Sequence, residues 1–304
     1  MGFESNAITR RPLGALVPAV IPALLLAACG GPALSPTVLP PTPVPASAPA
    51  SAPTAARLTL PLRVPSTTWR VQSAATVRVS GGGSAAGPEQ RVQSNAVVSW
   101  SAERQPSGAV RAAGQVDSFT VRTSFDSQRS VQLPSTPAMI LLEAVLDSTV
   151  VRVATKPPLA NECDRPEAGA GALARELLVR VPDGVMRGDR WQDSSVTLIC
   201  RNGVPMTAYT AMISRLESVD ADRLVIRREI SSRFEGKGGT AFRGLELSGT
   251  GSGVQRVEIS SQRGTVERLE GSGTLTLMTT ERLPGSPART QQIVQRTEFS
   301  AVRR

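Results

Sequence analysis

The 304-residue chain contains no histidine. That absence excludes Ser-His-Asp and Cys-His catalysis, imidazole-ligated zinc, and the side chain that most often moves protons near neutral pH. Cysteine is limited to Cys29, Cys163 and Cys200, too few for a disulfide framework or a thiolate metal cage. Aromatics are sparse, with three tryptophans, one tyrosine and six phenylalanines, so base-stacking platforms are scarce. Lysine is nearly missing: apart from Lys156 and Lys237, all 34 basic residues are arginine. These arginines are scattered, with no run longer than Arg-Arg, so the net charge of +9 forms no clustered patch and no nucleic-acid partner is expected. No residue pattern points to a metal or an organic cofactor. Carboxylates are present, which leaves a carboxylate-dependent enzyme open, but no spacing singles out a pair.

Long apolar runs are also few. The main one, Leu13–Ala28, is broken by Pro18 and Pro22 and is shorter than the ~20 apolar residues of a typical membrane span. Arg10 and Arg11 precede it, as in the charged start of a secretory signal. It ends in Leu26-Ala27-Ala28-Cys29, which resembles the lipobox of bacterial lipoproteins. The resemblance implies a signal peptide over 1–28, removal of that peptide before Cys29, and a diacylglycerol on the Cys29 sulfur. Two or more acyl chains anchor a protein stably without a transmembrane helix. Arg10-Arg11 also resembles a twin-arginine export signal. Gly30 rather than aspartate follows the cysteine, which by that resemblance points to the outer membrane, facing the periplasm. Membrane attachment through the lipid is thus the first expected partnership.

From 29 to 65 the composition changes. Ten of the 24 prolines fall between Gly31 and Pro65, and no charge occurs between Gly30 and Ala56. Such a segment cannot bury a core and reads as an extended tether. At ~3.1 Å per residue in polyproline form, its uncharged part reaches at most about 80 Å. The remaining 66–304 is ordinary in size for one β-sandwich or barrel.

That region reads as strands. Trp69, Val71, Ala75, Val77 and Val79 share one parity, while Arg70, Gln72, Thr76 and Arg78 take the other. This two-residue period marks a half-buried strand. The same pattern predicts strands over 92–103, 110–121, 139–146, 150–154, 191–201, 206–216, 222–232, 243–247, 254–260, 266–279 and 291–302. Local Gly- and Pro-rich turns join them, so the expected fold is all-β: an antiparallel meander curved into a half-barrel or barrel-like sheet, with one short helix. Inward-facing residues should include Trp69, Val71, Val77, Val98, Trp100, Leu224, Ile226, Leu275 and Leu277. Either they fill a closed core, or the small Ala75, Ala96 and Ala102 leave room for a ligand. Two similar halves, 66–160 and 185–304, are suggested by their opening tryptophans, Trp69 and Trp191.

Asp164 followed by Glu167 forms a capping-box pattern, and Leu173 and Leu177 follow at helical spacing, predicting a helix over about 165–180. Cys163 and Cys200 are the only cysteines in the folded part of an exported chain. They are expected to form a disulfide, the alternative being two buried thiols. Closing a loop of about 38 residues would stabilise the fold by ~2–4 kcal/mol.

Val185–Trp191, "VMRGDRW", resembles the Gly-Asp-x-Trp opening of a strand in β-rich envelope lipoproteins. The signal, linker and long meander with one helix resemble LolA/LolB-type lipoprotein carriers. That second resemblance implies a curved half-barrel whose apolar concave face holds acyl chains. The Arg187–Asp189 triplet is expected to be a turn rather than an adhesion motif. Gly249–Gly253, "GTGSG", lacks dinucleotide-fingerprint spacing and is expected to be a bulge or hairpin. Three functions stay open: a non-enzymatic binding or scaffold lipoprotein, with a lipid or other apolar ligand inside the sheet; an assembly module docking an envelope protein; and a carboxylate enzyme.

Overall fold

The computed structural model describes the backbone of residues 60–61, 63–81, 87–125, 129–132, 140–146, 151–156, 166–201, 204–240 and 243–304. Cys29, Cys163, the Asp164 cap and the side chain of Cys200 lie outside what is described, as do the signal and nearly all of the linker.

Long strands dominate. They are β1 (Arg63–Gly81), β2 (Gln90–Arg104), β3 (Val110–Phe125), β4 (Arg129–Gln132), β5 (Ile140–Leu146), β6 (Val151–Lys156), β7 (Arg190–Arg201), β8 (Val204–Val219), β9 (Arg223–Thr240), β10 (Arg243–Ser260), β11 (Val266–Arg282) and β12 (Arg289–Arg303). One helix, α1 (Pro166–Glu176), lies between β6 and β7. All twelve strands join one antiparallel sheet in the order β6-β5-β3-β2-β1-β12-β11-β10-β9-β8-β7, with β4 paired to β3. The first and last strands pair along most of their length, from Trp69 with Arg303 to Gly81 with Gln291. The meander therefore curls through almost a full circle. Only β6 and β7 face each other without a ladder, although their Cα atoms approach within 8 Å.

Alternation decides which face is inside. All nine residues expected to point inward are buried, and Trp69 and Trp100 are each 3% exposed. Each tryptophan N–H is satisfied: Trp69 donates to the Val266 carbonyl at 2.7 Å, Trp100 to Ala174 at 3.0 Å and Trp191 to Arg180 at 2.9 Å. The opposite face carries arginine–carboxylate pairs along its strands, among them Arg227–Glu229, Arg233–Glu235 and Arg268–Glu270. Exposed pairs of this kind contribute only about 0–1 kcal/mol each. Their position matters more than their strength. A membrane-spanning barrel shows lipid an apolar band on its outside; here the charged face is outside and the apolar face inside.

Three expectations are corrected. The two strands expected at 243–247 and 254–260 are one, β10, which runs through Gly249–Gly253 in unbroken register with both β9 and β11 up to Glu258. The glycines permit close strand approach rather than a turn: a Cβ at Gly249 would lie 2.3 Å from the Thr276 carbonyl oxygen. The short strand β4 carries no periodic signal and arises by pairing with the end of β3. The helix ends at Glu176 rather than near 180, because its last turn tightens, with Leu177 N donating to Ala174 O and Leu178 N to Arg175 O. Leu177, Leu178 and Val181 then continue into the core. The Arg187–Asp189 turn is as expected. Gly188 takes φ +95° and its N–H reaches the Leu216 carbonyl at 2.8 Å, tying the turn to β8.

Candidate functional site

Two places could hold a ligand: the interior and the waist of the outer surface. The interior is filled in layers. One apolar layer joins Trp69, Trp100, Phe119, Leu269 and Phe299 with Leu173 of α1 and Leu177 just beyond its end. A second, toward the other end, joins Val77, Met206, Phe234, Leu247, Leu277 and Ile293. Between them lies a polar belt. Ser214, Arg228 and Gln255 are cross-strand neighbours on β8, β9 and β10. The helix crosses to this belt from the β2 side, where it is tied to Trp100.

The belt is a hydrogen-bonded chain. Gln255 Nε2 donates to Glu176 Oε2 at 2.6 Å, and Arg228 Nη1 donates to Gln255 Oε1 at 3.0 Å. Gln255 lies over Gly271, where a Cβ would come within 2.6 Å of the Gln255 Cγ. Arg175 at the helix end donates to Ser195 Oγ, and Arg180 to Asp193. Arg228 is 3% exposed. Burial pulls both the Arg175 and Arg228 guanidinium groups below their ordinary value, opposed by the charge of Glu176. An arginine this far inside remains charged and needs those carboxylates.

Asp193 is the unusual acid. Burial pushes its carboxyl above the usual aspartate value, against the hydrogen bond and charge of Arg180, which pull it down. An acid raised in this way favours the folded state at low pH. That contribution is complete below the unfolded value of about 3.9 and is lost as pH rises through the folded value. Asp193→Asn should remove it. The stability of the parent minus that of the variant, from urea midpoints, should therefore fall as pH rises from about 4. A difference that grows with pH over the same window would contradict the assignment.

What remains empty inside is small. Near Trp69, Trp100, Leu177 and Ile259 a hollow of about 100 Å³ remains, less than the ~150 Å³ that holds one benzene. That hollow does not fit an acyl chain. Of the three small residues expected to leave room, Ala102 lines this hollow, while Ala75 and Ala96 are buried. The sheet is curved as expected, but its concave face is occupied by α1 and the belt. Among the described residues no cluster of acidic or cysteine side chains could hold a metal ion.

The larger concavity is outside. A groove of about 810 Å³ crosses the strands at mid-height, and a second hollow of about 500 Å³ continues it, sharing Ala74, Gln93, Ser272 and Glu298. A barrel of long, twisted strands narrows at its waist and is concave there along the strand direction. Small inward residues let the wall draw in: Ser73, Ser94, Gly271 and Gly273 lie behind the groove. The groove surface is half polar and half apolar, with amides, hydroxyls, carboxylates and guanidinium groups beside Ala74 and Val254.

A third feature is the seam. On either side of the unpaired β6 and β7 edges, large apolar side chains are exposed: Leu141 and Val145 on β5, Val196 on β7, and Tyr209 and Ile213 on β8.

No protein-family model matches the chain, and no curated protein matches it. Among solved structures, the crystal structure of Pseudomonas aeruginosa OccK5 (OpdH) is similar over 78% of this chain and 97% of that chain, at 6% identity and a TM-score of 0.23. A likeness at that level establishes no shared fold or function.

Proposed function

We propose that the chain is a lipid-anchored, non-enzymatic binding and scaffold protein of the cell envelope. It is held by Cys29 at the outer membrane, facing the periplasm, raised on the 29–65 tether, and works through its outer surface. The observation that carries this reading is the combination of a filled interior with a charged exterior. A lumen occupied by α1 and a buried ionic belt is a support for a surface rather than a container. Carriage of a lipid inside the sheet, as the LolA/LolB resemblance implies, would need α1 expelled and Arg228 left without its partners. Removing one partner of a buried ion pair costs about 3–5 kcal/mol.

The test uses the full chain isolated from membranes. Cys29→Ser should move it from the membrane to the soluble fraction. Organic extraction of the denatured wild type should release no stoichiometric non-covalent lipid. A variant that stays with the membrane would remove the anchor from the proposal. One extracted acyl lipid per chain would restore the carrier.

A second reading has its own observation. The open β6 and β7 edges, bracketed by exposed apolar residues, suit a partner protein that adds a strand. This would be the envelope-assembly module considered from the sequence.

A further inference from the structure

We propose that the waist groove binds a linear, neutral glycan strand of β-linked N-acetylhexosamine. The inference deepens the proposed binding function and rests on it. The floor is built in rows, one residue from each of five strands. One row runs Gln93, Ala74, Glu298, Ser272, Val254, and the next runs Asn95, Gln72, Ser300, Glu270, Arg256. The backbone register places these side chains side by side on β2, β1, β12, β11 and β10.

Spacing selects the polymer. Neighbouring strands stand ~4.8 Å apart, so a ligand lying across them meets a new set of polar groups at each such step. An extended β-linked glycan advances by nearly that length per sugar ring and stays in step over the five strands. An extended peptide advances ~3.4 Å per residue and falls out of step within two residues.

Chemistry selects its charge. The first groove presents Glu217, Glu270 and Glu298 against Arg227 and Arg256, a near balance that favours neither a polyanion nor a polycation. Glu298, and Arg296 in the adjoining hollow, carry no ion pair among the described residues, so each is available to ring hydroxyls. Gln72, Gln93 and Asn95 supply paired donors and acceptors, which suit hydroxyl and acetamido groups. The exposed floor carries no aromatic side chain, so the ligand is held by hydrogen bonds. Binding should therefore depend on several contacts at once, and a single monosaccharide should not saturate the site.

The probe is a soluble β-1,4-linked N-acetylglucosamine hexamer, titrated into the full chain in detergent and read by calorimetry. Saturable binding of the hexamer is expected, weakening about tenfold or more in Ala74→Arg, which obstructs the first row between Gln93 and Glu298, and in Gln72→Ala/Asn95→Ala, which strips two amides from the second. All of these positions lie on the solvent face, so unchanged circular dichroism and urea midpoints should accompany the loss. Absence of saturation, binding indifferent to these variants, or preferential binding of an alanine-glycine peptide of equal length would overturn the glycan assignment. Each leaves the anchored, lipid-free scaffold standing, because that reading is judged by fractionation and lipid extraction alone.

Discussion

Glu176→Leu lowers the stability of the folded chain by about 3 kcal/mol, read as a fall in the urea midpoint with the slope unchanged. The carboxylate accepts from Gln255, which in turn accepts from Arg228, and its charge opposes the desolvation of both Arg175 and Arg228. Without it, three guanidinium groups in and around the belt face Asp193 alone. The lower end of the usual range for breaking a buried pair applies, because Glu176 is itself half-buried. Glu176→Gln keeps an acceptor for Gln255 but not the charge, and should fall between parent and leucine variant. Adding Arg228→Met to Glu176→Leu should recover part of the loss, since it removes the charge left uncompensated and replaces it with a side chain of similar length. The loss should change little with salt, because screening acts weakly on buried charges. Additive losses in the double variant would mean that Glu176 and Arg228 do not act as a unit.

Gly114→Ala should be nearly as damaging, although it adds a single methyl group. A Cβ at Gly114 would stand 2.3 Å from Trp100 Cε3 and 2.5 Å from Cδ2. The indole is 3% exposed and cannot swing into solvent without opening the core. Its N–H also holds α1 through the Ala174 carbonyl. Overpacking of this kind costs ~1–3 kcal/mol, and losing the hydrogen bond adds roughly 1. A smaller neighbour should relieve it: Gly114→Ala with Trp100→Leu should be less destabilised than the two single variants added together, by 0.5 kcal/mol or more. Urea unfolding of the four proteins measures this coupling. Strict additivity would show that the methyl group is accommodated without moving the indole.

The strands were legible because each carries its own record of burial. In β9, Leu224, Ile226 and Ile230 share a parity, and the sheet buries all three. The same parity contains Arg228, and that was a readable signal. An arginine on the apolar side of an alternating strand must find a carboxylate inside. Asp193 on β7 and Gln255 on β10 carry the same kind of signal, polar residues on the parity of buried neighbours. Their partners were not legible, because Glu176 meets Gln255 across 79 positions of chain. The groove was half legible. Gln72 and Arg78 fall on the solvent parity of β1, but nothing local places Gln72 beside Ser300 and Glu270.

Bulges mark another limit of local pattern. Asp117 is an extra residue in β3, between the Val97–Ser118 and Val98–Val116 pairs, so the inward parity passes from Ala112 and Val116 to Phe119 and Val121. Glu217 is likewise an extra residue in β8, two positions before its end. A strict two-residue period carried through Asp117 would turn the second half of β3 inside out.

The sequence by itself determined the all-β class, the inner and outer faces of most strands, and the presence of one helix. These follow from side-chain alternation and helical spacing, which act between near neighbours. Only the tertiary structure decided that β1 pairs with β12 to bring the sheet nearly full circle, that α1 fills the lumen, and that the waist is concave on the outside. Those features depend on strand twist, register and the volume left between distant walls, which are sums over the whole sheet and are carried by no single segment of chain.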